Sequence, residues 1–155
     1  MRKTHYRDYA TAAFQLYAQE GSVAKYKQKI NCQAFNDALK DKGGKSLNGS
    51  PVEAEVLRNA EAREAAEKAL QRVESTLADL DAVERAMLRL ELSRGGGDKM
   101  KALRMVYIQK DEIKRGTIQA RVHNAEIQIP ASERSIYAWL LEARRFFAEE
   151  RELRL

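Results

Sequence analysis

Apolar residues recur along most of this chain at steps of three and four, the spacing that stacks side chains on one face of an α-helix. Tyr6, Tyr9, Ala10, Ala13, Phe14 and Tyr17 share one broad side before Gly21. After Ser22 the pattern resumes with Val23, Tyr26, Ile30, Ala34 and Ala38, with Phe35 beside them. These two runs predict an N-terminal helical hairpin over residues 1–40. The segment Asp41-Lys-Gly-Gly-Lys-Ser-Leu-Asn-Gly-Ser50 is rich in turn-formers and cannot bury a core face, so 41–50 reads as a linker. Ser50-Pro-Val-Glu53 then carries a helix start: a capping serine, proline at the first helical position and glutamate to close the capping box.

No glycine or proline interrupts the chain from there to Gly95, which predicts a long central helix over 51–92. Ala66, Leu70, Val73, Leu77 and Leu80 alternate steps of four and three, and Val83, Met87 and Leu90 continue after a one-residue slip. This is a short heptad seam, and Leu70, Val73, Leu77 and Leu80 are the oligomerisation candidates for a homodimer. Packing within the monomer accounts for the seam equally well. Asp79, Asp81 and Glu84 also suit a fresh helix start, which would divide the segment in two.

Three glycines at 95–97 end this stretch. The next helix places Met100, Leu103, Val106 and Tyr107 on one side and Lys99, Lys101 and Arg104 on another. Residues 117–127 then predict a short helix that Pro130 stops, and Ser132 caps a second helix whose buried face is Ile136, Trp139, Leu140, Ala143 and Phe147. Arg134, Ala138, Leu141 and Arg145 lie opposite, with Tyr137 to the side. The whole is all-α, and residues 94–155 form a helix-turn-helix bundle in which the first turn of the second helix is placed to meet DNA base edges. Ser132, Glu133, Arg134, Ser135 and Tyr137 are the base-contact candidates.

Charge sharpens this picture. The net charge is +5, but residues 1–49 hold nine Lys or Arg against four acids, residues 50–93 six against ten, and residues 94–155 thirteen against nine. Two basic ends flank an acidic middle. Between Arg94 and Arg121 eight basic residues face three acids just before the second helix of the motif, a balance suited to phosphate backbones. Lys99, Lys101, Arg104, Lys110, Lys114, Arg115, Arg121 and Arg145 are therefore phosphate-contact candidates. The four N-terminal tyrosines among basic residues fit helix packing better than base stacking.

Asp81-Ala-Val-Glu-Arg-Ala-Met-Leu-Arg-Leu90, Lys101-Ala-Leu-Arg-Met-Val-Tyr107, Ser132-Glu-Arg-Ser-Ile-Tyr137 and Leu140-Leu-Glu-Ala-Arg144 together resemble the order of sigma-factor region four. They are still more similar to the small phage and prophage late-gene transcription regulators of the RinA and ArpU type, over residues 80–150. The resemblance implies promoter or operator binding to double-stranded DNA by the last helix, with RNA polymerase as a further partner. Ala125 lies seven positions before Ser132 where such motifs usually have a small residue at six, and Pro130 stands where a glycine is common, so the turn is expected to be one residue longer.

Catalytic and cofactor chemistry find no foothold. His5, His123 and the single Cys32 make no metal-spacing pattern, so neither a metal nor another cofactor is expected. Gly43-Gly-Lys-Ser46 lacks the earlier glycine of a phosphate loop, since position 39 is leucine. No nucleophile elbow or dinucleotide turn occurs, and the expectation is a binding protein rather than an enzyme. One cysteine fits a reducing cytosol, and no apolar run approaches the roughly 20 residues of a spanning helix, so a cytoplasmic protein with no membrane partner is expected. Two other functions fit the same pattern: a phage DNA-packaging protein like a terminase small subunit, and a helical protein–protein interaction module without nucleic-acid binding.

Overall fold

The computed structural model describes residues 5–42, 51–109 and 116–154. Among them are seven helices and no strand: α1 (His5–Glu20), α2 (Val23–Lys42), α3 (Pro51–Arg72), α4 (Glu74–Leu92), α5 (Gly96–Val106), α6 (Ile118–Gln128) and α7 (Glu133–Glu150). The all-α expectation holds. No helix among the described residues is long and apolar enough to cross a membrane. Ser50, the segment 43–50 and the cations Lys110, Lys114 and Arg115 lie outside the described residues.

The chain divides into two compact units, residues 1–22 with 78–155, and residues 23–77. This corrects the N-terminal hairpin over 1–40, because the division separates α1 from α2. Gly21, with a φ of 82°, closes α1 through its amide to the Tyr17 carbonyl at 2.8 Å. What α1 packs on is α7, while α2 packs on α3. The stretch 51–92 is two helices, the division the sequence left open, but the break falls at Val73 between α3 and α4 rather than at Asp79–Glu84. The Val73 amide reaches back only three residues, to the Leu70 carbonyl at 3.2 Å, which tightens the last turn of α3 and stops it.

The first unit is held by a core that draws on α1, α4, α5, α6 and α7. Ala10, Phe14, Val83, Ala86, Leu90, Leu103, Val106, Val122, Ile136, Leu140 and Phe147 are all buried within it. Three aromatic contacts tie α1 to this core. Tyr9 stacks on Phe147 with centroids 5.8 Å apart, and Phe14 lies against Tyr107 at 6.1 Å and Phe147 at 6.0 Å. Such pairs add about 0.5–1.5 kcal/mol each beyond the area they bury.

The turn at Ser93–Gly96 lets α4 hand over to α5. Gly95 has a φ of 72°, which only glycine adopts without strain. Gly96 is buried against the end of α4, where an added Cβ would overlap the Glu91 carbonyl. In the second unit, α2 and α3 run along each other, and Ala62 is fully buried.

Candidate functional site

The last three helices build the site the sequence singles out. Gly116, with a φ of 61°, turns the chain into Thr117, whose hydroxyl accepts the Ala120 amide at 3.1 Å and caps α6. At the far end the Ile129 amide donates to the Ala125 carbonyl at 2.8 Å, and the Ala131 amide to the Ile129 carbonyl at 2.7 Å, so the chain bends sharply around Pro130. The Ser132 hydroxyl accepts the Ser135 amide at 3.2 Å and starts α7. A four-residue turn, 129–132, thus joins the two helices, with Ser132 capping the second as expected from sequence. Ile129 and Ala125 are buried beneath it, which fixes how α6 and α7 leave the turn.

The two faces of α7 differ as expected. Ile136, Leu140, Ala143 and Phe147 are buried, and Ala148 joins them. Trp139 is half-buried at the core's edge, not within it, because its position falls between the buried stripe and the open side. Arg134, Tyr137, Ala138 and Arg145 are exposed, and Leu141 is half-buried. Between Glu133 and Glu142 this helix has no acid. Arg145 sits further along in a shallow recess beside Glu142 and Glu149, so Arg134 is the cation of the open face that lies apart from those acids.

The five base-contact candidates separate into three groups. Ser132 and Ser135 are engaged with each other: besides the cap, the Ser132 hydroxyl donates to the Ser135 hydroxyl at 3.0 Å. Glu133 stands in the first turn, where a carboxylate is favoured by the helix dipole. Arg134 and Tyr137 are the two exposed side chains able to reach outward, and 39% of the tyrosine surface is open to solvent.

The phosphate-contact candidates separate as well. Lys101 and Arg104 are exposed on α5 and border a groove with Met100, Met105 and Ile108. Lys99 instead pairs with Glu142 at 2.9 Å and donates to the Ser93 hydroxyl at 3.2 Å, pinning α5 to α7 with only 11% of its side chain exposed. Arg121 donates to the Val106 carbonyl at 2.6 Å, an acceptor left open where α5 ends, and to the Gly116 carbonyl at 3.0 Å, just before α6. Charge counting along a sequence cannot separate these roles, because a lysine that pins two helices and one that faces solvent look alike.

The seam residues are dispersed. Leu80 is fully buried in α4, while Leu70, Val73 and Leu77 are half-buried across the end of α3 and the start of α4. The helix break at Val73 interrupts the seam between α3 and α4.

Sequence patterns missed a polar cluster in the first unit. The Tyr9 hydroxyl donates to Asp79 Oδ1 at 2.6 Å, and Arg151 Nε donates to the same oxygen at 2.8 Å. That hydrogen bond to Asp79, then burial and the carboxylate charge, raise the Tyr9 phenol above its ordinary value, while nearby Arg151 opposes the shift. The same Asp79 bond raises Arg151. Burial, followed by the charge of Glu84, raises Tyr17. Seventy residues separate Tyr9 from Asp79, beyond the reach of any local spacing rule. Among the described residues no group of His, Cys, Asp and Glu side chains could hold a metal ion. Comparison with protein-family models, with curated proteins and with solved structures finds no match for this chain.

Proposed function

We propose that this protein binds duplex DNA through α6 and α7, with the first two turns of α7 in the major groove, as a transcription regulator of the phage or prophage type. The observation that carries the reading is the division of α7: one face closes the core, while the other offers Arg134, Tyr137 and Ala138 to solvent with no acid among them. A four-residue turn closed by the Ser132 cap and a core shared with α5 hold that face rigidly, as a helix entering a groove requires.

In this reading Arg134 contacts a base edge, guanine O6 and N7 being the acceptors that suit a guanidinium fork, and Tyr137 lies against the adjacent sugar or base. Lys101, Arg104 and Arg145 contact phosphates. Lys99 and Arg121 serve the fold, through Glu142 and through the Val106 and Gly116 carbonyls, and are removed from the phosphate set. RNA polymerase is the further partner for a sigma-like role.

Titrating a fluorescent duplex at several salt concentrations tests the proposal. Neutralising about four phosphates gives a log–log slope of affinity against salt of about −3 to −4. Failure to bind at low salt would contradict it and favour a protein-interaction module.

A further inference from the structure

The second unit leaves an apolar groove open. Among residues 23–38 and 60–77 only Ala62 is wholly buried, while Ile30, Ala34, Ala38, Ala65, Ala69 and Val73 line an open groove of about 620 Å³ between α2 and α3. A helix pair of this size cannot shield its apolar side from water, and small helical units are usually completed by assembly. The alanines keep the groove floor low, so another pair of helices can approach closely.

The rim identifies the occupant. A connection of eight residues, 43–50, joins the two helices, and neighbours joined so briefly pack antiparallel. Asp37 and Glu61 therefore border the groove toward one end, and Arg72, with Ile30 and Val73, toward the other. A twofold axis through the middle of the groove sets the acidic end of one copy against the basic end of the other, twice. An isologous contact needs this self-complementary pattern, and a surface of one sign would not supply it.

We infer that the α2–α3 groove is the homodimer interface of this protein: two copies pack groove to groove as a four-helix bundle, with Arg72 of each copy paired with Asp37 of its partner. The interface shares only Val73 with the leucine seam, and the inference stands whether or not the first unit binds DNA.

Sedimentation of the full chain without DNA, over a range of concentrations, tests it. The parent sediments as a dimer. Arg72→Glu and Asp37→Arg each place like charges across the axis and raise the dissociation constant at least about tenfold, with helix content unchanged in circular dichroism. The double variant Asp37→Arg/Arg72→Glu regains part of the loss, because the reversed charges at 37 and 72 again meet as opposites while Glu61 is unchanged. Within one copy these two residues border opposite ends of the groove, so rescue reports a contact between copies. A monomeric parent, an oligomer indifferent to both reversals, or two weakened single variants without rescue in the double would overturn the inference.

Discussion

Tyr9 shows how much one side chain contributes to the first unit. Its ring covers Phe147 and its hydroxyl shares Asp79 with Arg151. The phenol is raised in the fold, so the folded state holds that proton more tightly than the unfolded chain does. Its contribution is complete below the ordinary tyrosine value of about 10 and disappears as pH rises through the raised one. Tyr17 adds to the same alkaline loss. Tyr9→Phe keeps the ring and removes the hydroxyl. It is expected to lower stability at neutral pH by about 1 kcal/mol, an exposed and partly screened bond being worth no more. It also flattens the loss of stability between neutral and strongly alkaline pH. Denaturant melts at a series of pH values check both, and a variant with the parent's alkaline slope would assign that slope elsewhere.

At the scale of elements, the helices follow from local chemistry that is readable along the chain. Thr117 and Ser132 cap where a hydroxyl precedes an apolar run, Pro51 opens α3, and the glycines at 95–97 end α4 and start α5. The break at Val73 carries no such mark. No glycine or proline stands there, and Leu70, Val73 and Leu77 keep heptad spacing across it, so the stretch reads as continuous. Gly96 has the opposite character. Its neighbours mark a turn, but only the structure shows it pressed on the Glu91 carbonyl. Gly96→Ala is therefore expected to cost more than about 2 kcal/mol, since backbone must move to admit the methyl. Gly97→Ala, with open space around its added Cβ, is expected to be neutral or slightly stabilising. Thermal melts of the two variants check the contrast, and equal melting temperatures would show that α4 and α5 do not meet as described.

At the scale of the molecule, pairing of helices distant in sequence was the part hidden from a linear reading. Tyr6, Ala10, Ala13 and Phe14 announce a packing face, and all four are buried, yet nothing in their spacing says that the partner is α7. The nearest candidate, α2, belongs to the other unit, where it completes a pair with α3. The candidate site was more legible, because a helix-turn-helix is local: caps, turn and both faces of α7 lie within Thr117 to Phe147. What the sequence left mixed were charges with different duties, Lys99 and Arg121 inside the fold and Lys101 and Arg104 on its surface.

The proposed role of the open face of α7 in reading DNA is decided by one paired measurement. Arg134→Ala and Tyr137→Ala are titrated against a duplex selected from random sequence by the parent protein, with thermal unfolding followed in parallel. Neither side chain supports the core, so both variants should melt with the parent, while each loses about 1–3 kcal/mol of affinity where a base contact is removed. Affinity for random duplex should change far less. If both variants bind the selected duplex as tightly as the parent, with their fold intact, α7 is not the helix that reads DNA.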